Sequence, residues 1–201
     1  MRLNLGSADR HLEGFISVDI FRPENAPSDF QVADLAGPWP WPDSSVDEVL
    51  ASDIAEHIGD QPGRGFISSM PCSECYERRH LGIPGRCPTC VASNSKPLSP
   101  LGRIHFLNEL HRVLKPGAVA VIEVPSAAHG VGFVTDPTHV TPWCLSLFKY
   151  FEAGAFAHQR LSKPYGITAA FKVRELREYQ VPAEDSRETV WKIHAELEAV
   201  K

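Results

Sequence analysis

Apolar and polar positions switch between two periods along the chain. Arg2–Leu5, Phe15–Asp19, Phe30–Ala33 and Val46–Ala51 are short runs rich in apolar or β-branched residues, bounded by turn formers. Each reads as a strand. Val119–Val124, with the sequence VAVIEV, is almost continuously apolar, as expected of a strand covered on both faces. Ile104, Leu107, Leu110, His111 and Leu114 fall on one stripe at helical spacing, which predicts a helix over Leu101–Leu114. Lys115-Pro116-Gly117 ends it, because proline cannot continue a helix and glycine accepts a left-handed cap. Near the C-terminus, Trp191, Ile193, Ala195, Leu197 and Ala199 alternate with polar residues. Glu188–Lys201 is therefore expected to be a strand, with Phe171–Val181 as its hairpin partner. The polar link Pro182-Ala183-Glu184-Asp185-Ser186 suits the turn between them.

Strands interleaved with helix and closed by an antiparallel pair imply an α/β fold. The expectation is a doubly wound, mostly parallel, seven-stranded Rossmann-like sheet with an antiparallel C-terminal hairpin. Two crossovers are thin. Only Ser7–Gly14 joins the first two strands, and Phe21–Asp29, with two prolines, joins the next two. That half of the sheet is expected to have poor helical cover.

Composition places the chain among globular proteins. Of 201 residues, 43% are hydrophobic and 22% charged, near the averages for soluble domains. The length suits a single domain over 1–201, one core rather than two. No apolar run reaches the roughly 18–20 residues of a membrane-spanning helix. The opening MRLNLGSADR has no apolar stretch of a signal peptide, so a cytoplasmic protein with no membrane partner is expected. A net charge of −5 gives no broad basic footprint for nucleic acid.

Residues 61–100 break the alternation. They are rich in Pro, Gly, Ser and Cys and show no period. Within them stand Cys72, Cys75, Cys87 and Cys90, two CxxC pairs separated by eleven residues. Each pair can offer two thiolates to one ion, and two pairs complete a tetrahedron. Four sulfur ligands favour Zn2+, and a site with no open position is structural. The expectation is a zinc-ribbon-like insertion within the single domain. Its bases, Arg64, Arg78, Arg79, Arg86 and Lys96, stand against Glu74 and Glu77. Four thiolates and one zinc reduce that surplus to too little for a nucleic-acid groove. Cys144, unpaired and next to Trp143, reads as a small core residue.

Ligands of open parallel sheets bind beyond the carboxyl ends of the strands. Gly6 follows the first strand, where a missing Cβ lets backbone approach a ligand. Asp19 ends the second, where a carboxylate accepts hydrogen bonds from both hydroxyls of a ribose. Asp34 follows the third, and its carboxylate with the next N–H suits the edge of an adenine. Gly6-Ser7-Ala8-Asp9-Arg10-His11 lacks the later glycines of a dinucleotide loop. A ligand with ribose and adenine but no phosphate fits better.

Three segments carry a resemblance to a known family. They are LNLGSADRHLEGFISVDI, ADLAGPWPWPDSSVDEVLASDIAEHIGD and FLNELHRVLKPGAVAVIEVPS. In that order they resemble the glycine motif and acidic strand end, the adenine-contact aspartate through strand four, and the helix turning into strand five of class I S-adenosylmethionine-dependent methyltransferases. The match is to the small type that starts at the first strand. The resemblance implies that Gly6 lines the methionine moiety of S-adenosylmethionine, Asp19 holds the ribose, and Asp34 with Leu35 meets the adenine. Ser52 and Asp53 would stand near the sulfonium. The sequence departs from the family at Ala8, where a second glycine is usual, and at Asp53, where histidine is frequent. It departs also at Gly117-Ala118, in place of a glycine pair.

Pro125–Val140 follows strand five at the same end of the sheet and reads as a shaped loop rather than a helix. Asp136-Pro137-Thr138-His139 resembles a segment of the same family. His139 and Asp136 are the catalytic candidates, to deprotonate or orient an acceptor. The plainer alternative is that Asp136 starts a turn and His139 fixes the loop. Glu56 and His57 are further candidates, with local packing the plainer role for His57. The function expected is methyl transfer to an unidentified acceptor, a small molecule being favoured and nucleic acid left open. The alternative is a zinc-bearing binding or scaffold protein without turnover. Oligomeric state is not specified by the sequence.

Overall fold

The computed structural model describes residues 1–59, 102–182 and 189–201. Its strands are β1 (Arg2–Leu5), β2 (Ile16–Asp19), β3 (Gln31–Val32), β4 (Val46–Ser52), β5 (Leu114–Pro125), β6 (Phe171–Pro182) and β7 (Thr189–Ala199). Its α-helices are α1 (Gly102–Val113), the single turn α2 (Val131–Val134) and α3 (Phe156–Tyr165). Three 3-10 turns lie at Ala55–His57, Ala127–His129 and Leu145–Tyr150.

The seven strands form one sheet in the order β3-β2-β1-β4-β5-β7-β6. The first five run parallel, and β7 enters antiparallel between β5 and β6. The chain starts in the middle and winds outward in both directions. This brings the carboxyl ends of β1, β2, β3 and β4 to one rim, with Leu5 opposite Val18 and Ala51, and Asp19 opposite Val32.

Alternation decides which face is buried. Val49 and Ala51 of β4, Ala120, Ile122 and Val124 of β5, and Ile193, Ala195 and Leu197 of β7 share one core cluster with Phe106, Leu107, Leu110 and Val113 of α1. Trp143, Phe148 and Phe151, after β5, complete it. Intervening residues on these strands, such as Glu48, Ser52, Glu123, Lys192 and His194, are half-buried. They form a polar face.

No helix lies between β1 and β2 or between β2 and β3, in line with the thin crossovers. The 7–14 turn covers β1 and β2 instead. Asn4 Nδ2 donates to the Arg10 carbonyl, and the His11 ring pairs with the buried Ser17 hydroxyl at 3.0 Å. The proline-rich link before β4 is held by α1. Arg112 donates to the carbonyls of Trp39 and Trp41 and pairs with Asp43 and Glu109. Glu109 in turn accepts the Trp39 N–H. One arginine thus satisfies a segment that proline deprives of regular partners.

Three expectations need correction. The helix ends at Val113, and Leu114 already pairs with Val46. Lys115-Pro116-Gly117 is an exposed irregularity inside the span of β5, Gly117 taking φ +74°. Leu114 thus buries as the first strand residue, not the last of the helix. The segment after β5 is partly helical, with a 3-10 turn and α2. Ser126 begins it by accepting the Ala128 N–H. Cys144 is half-exposed, with its thiol 3.2 Å from the Ser146 hydroxyl. The core position belongs to Trp143, which is fully buried.

Candidate active site

The turn after β1 is built on two left-handed residues. Gly6 has φ +65°, and a Cβ there would stand 2.5 Å from the Ile54 Cβ. Its hydrogen is therefore needed for the packing of Ile54, the residue that follows β4 and Asp53. Ala8 has φ +44°, a conformation that costs an L-residue about 1–2 kcal/mol. Asp19 holds that conformation in place. Its Oδ2 accepts the Ala8 N–H at 2.9 Å and its Oδ1 accepts the Ile20 N–H at 2.7 Å. Next to Gly6, the Ser7 hydroxyl is buried and has no hydrogen-bond partner among the described residues.

At the end of β3 the Ala33 N–H donates to the Asp19 carbonyl at 2.9 Å, tying the two strand ends together. Asp34 Oδ1 caps the following turn by accepting the Ala36 N–H at 2.9 Å, which leaves Oδ2 free of described partners. The Leu35 side chain is buried in the core. What Leu35 offers at this rim is its backbone. Ile20 and Phe21, beyond β2, are exposed.

Beyond β4, Asp53 takes φ +54° and its Oδ2 receives Lys192 Nζ of β7 at 2.6 Å. Ser52 donates to Glu123 Oε2 at 3.3 Å. Glu123 also accepts from Tyr179 at 2.9 Å and lies 3.2 Å from His194 Nδ1. Burial pushes the Glu123 carboxyl up, but the Tyr179 and His194 hydrogen bonds outweigh it and hold it below its ordinary range. Burial and the bond to Glu123 raise Tyr179 to about 12. The sequence reading missed Lys192, Glu123, Tyr179 and His194. The alternation on β7 that marks Ile193 and Ala195 as core also sets Lys192 and His194 on the other face.

Asp136 and His139 lie beside the turn at Ala55–His57. Val140 and Thr141 donate their N–H groups to the Glu56 carbonyl at 2.9 and 3.0 Å, and the Thr141 hydroxyl donates to the Ala55 carbonyl at 2.9 Å. Asp136 Oδ1 accepts both the N–H and the hydroxyl of Thr138. His139 Nδ1 donates to the Phe133 carbonyl at 2.9 Å. The turn and loop-fixing roles expected of the pair are thus present. His139 Nε2 faces Glu56 Oε1 at 3.8 Å and Asp136 Oδ2 at 3.7 Å. The His57 and His139 rings meet edge to face at 4.7 Å. Glu56 is fully buried, and neither carboxylate oxygen has a hydrogen bond among the described residues. Burial raises its carboxyl to about 8, with Asp53 and Asp136 adding to the rise.

Cys72, Cys75, Cys87 and Cys90, with the rest of the insertion, lie outside the described residues. Among the described residues no helix is long and apolar enough to cross a membrane.

The strand order is that of the class I, Rossmann-like methyltransferase fold. Solved structures agree. The YcgJ protein of Bacillus subtilis is 13% identical, with 100% of this chain and 92% of that one covered and a TM-score of 0.52. A chain from the complex of the Haloferax volcanii Trm112 methyltransferase activator with its candidate methyltransferase is also 13% identical. Here 100% of this chain and 82% of that one are covered, with a TM-score of 0.51. At such identities the likeness is one of fold. No protein-family model matches the chain, and no curated protein matches it.

The residues at the rim fit an adenosyl group. Asp19 keeps lone pairs beyond its two backbone bonds, enough for a diol. The Leu35 N–H and Asp34 Oδ2 provide a donor and an acceptor on adjacent residues. Ile20 offers an exposed apolar flank, and the buried Ser7 hydroxyl lacks a partner that a polar ligand would supply.

Proposed function

We propose that the chain is a S-adenosylmethionine-dependent methyltransferase acting on a small molecule. The observation that carries this reading is Asp19. Its carboxylate ties the end of β2 to the left-handed turn after β1 and still has acceptor capacity at the rim. Asp19 takes the ribose hydroxyls, Asp34 and the Leu35 N–H take the adenine edge, and Gly6 borders the methionine portion. Ser52 and Asp53 stand on the sulfonium side.

When bound, the cofactor supplies an electrophilic methyl group. The protein contributes proximity, orientation and exclusion of water. Lys192 orients Asp53 and offsets part of its charge. Asp136 and His139 flank the acceptor side. The carboxylates there, Asp53, Glu123 and Asp136, disfavour a polyanionic acceptor, which supports a small molecule over nucleic acid. Cys72, Cys75, Cys87 and Cys90 hold a structural Zn2+ in an insertion over 61–100.

Calorimetry with S-adenosylmethionine tests the reading. Saturable binding near one equivalent is expected, followed by label transfer when acceptors with hydroxyl, thiol or amine groups are supplied. Absence of binding by zinc-loaded protein would leave a scaffold on a methyltransferase fold. For the insertion, Cys72→Ser is expected to lower bound zinc, and full zinc retention after chelation would contradict the assignment.

A further inference from the structure

We infer that Glu56, His57 and His139 form a second metal site, one that binds a divalent transition-metal ion of the imidazole-preferring class. One ligand atom from each lies within 4.8 Å of the others. Hydrogen bonding fixes the imidazoles for ligation. The Phe133 carbonyl can only accept, so His139 Nδ1 carries the hydrogen and Nε2 presents a lone pair. The Thr138 hydroxyl gives its proton to Asp136 at 2.6 Å, so it accepts from His57 Nδ1 at 3.1 Å. His57 Nε2 is then left with a lone pair too. Metal-binding histidines characteristically donate their other nitrogen in this way.

The carboxylate supplies the independent observation. Glu56 is 0% exposed, and neither of its oxygens has a hydrogen bond to another residue among the described residues. A buried carboxylate needs a cation or hydrogen-bond donors. Its approach to His139 Nε2, at 3.8 Å, is too long for a hydrogen bond. It is short enough for one ion between them, since metal–nitrogen and metal–oxygen bonds are each about 2.0–2.2 Å.

The cluster is also held in place. Backbone and Thr141 bonds fasten the His139 loop to the Ala55–His57 turn, so little must move on binding. Two imidazoles and one carboxylate suit Zn2+, Co2+, Mn2+ or Fe2+ better than Mg2+ or Ca2+. Three protein ligands leave coordination positions open. Asp136 Oδ2, 3.7 Å from His139 Nε2, stands beside the site as a second negative charge.

Metal binding here does not depend on methyl transfer and is measured without it. The probe is Co2+, titrated into metal-stripped full-length protein and followed by visible absorption. Thiolate ligation gives an intense charge-transfer band, whereas imidazole and carboxylate give only weak ligand-field bands, so this cluster is distinguished from the four cysteines. The unmodified protein is expected to show an imidazole–carboxylate component of about one equivalent. Glu56→Gln and His139→Ala are expected to lose that component while keeping any thiolate one. Thr138→Val is expected to weaken it about 10–100-fold by freeing His57. Absence of the component from the unmodified protein overturns the inference, whatever the variants do. Its survival at unchanged affinity in folded Glu56→Gln and His139→Ala also overturns it.

Discussion

The two sides of the candidate site are built in opposite ways. On the side proposed for the cofactor, from Gly6 to Leu35, the groups offered are mostly main chain. They are shaped by left-handed turns and one half-buried aspartate, at the ends of strands joined without crossover helices. On the other side, Glu56, His57 and His139 are side chains clamped between two backbone segments, with a carboxylate out of contact with water. A rim of backbone turns recognises a ligand by shape and hydrogen-bond direction. A buried cluster of imidazole and carboxylate stores electrostatic cost until a cation or proton arrives.

Stability against pH breaks the comparison most sharply. In metal-stripped protein the Glu56 pKa is raised from 4.5 to about 8. The native state therefore holds a proton that the unfolded chain releases. The stability this proton contributes is full below pH 4.5 and lost as pH rises through about 8. Besides His139, Asp53, Asp136 and Lys192 act on this group. The loss is expected to be on the order of 4 kcal/mol. Glu56→Gln should flatten that part of the profile, measured by urea unfolding between pH 5 and 9 in the presence of chelator.

Asp19→Ala is the corresponding break on the other side. Losing a charged acceptor is expected to cost about 1.5–3 kcal/mol of cofactor affinity, read by calorimetry, with little change in Co2+ uptake. Ala8→Gly is a smaller change. It removes the steric cost of φ +44° but adds freedom to the unfolded chain. A net gain of up to about 1 kcal/mol in unfolding free energy is expected. A loss would mean that the Asp19 bond depends on the alanine side chain.

Most strands were legible because period and turn residues act locally. Arg2–Leu5 is identical in reading and structure, and β2, β3, β4, β6 and β7 differ from their expected spans by one or two residues at an end, whereas β5 begins five residues before the expected Val119. The places of Asp19 and Asp34 in the fold were legible for the same reason, one ending β2 and the other just after β3. Long-range pairing was not. Leu114 joins β5 because Val46 waits across the sheet for it. Glu56 stood out in sequence only as part of a Glu-His pair, because its burial is created by a loop more than eighty residues away, whose Thr141 bonds its carbonyl. Lys192 reaches Asp53 because β7 pairs with β5, a neighbour that the alternation within β7 does not specify.

The central claim is that the ends of β1, β2 and β3 receive an adenosyl group. Backbone amide spectra of isotope-labelled protein titrated with S-adenosylhomocysteine test it most directly. The Ala8, Ile20 and Leu35 resonances are expected to move together, saturating at one common concentration. Resonances that stay fixed at these three positions while the compound binds elsewhere, or no binding at all, would contradict it.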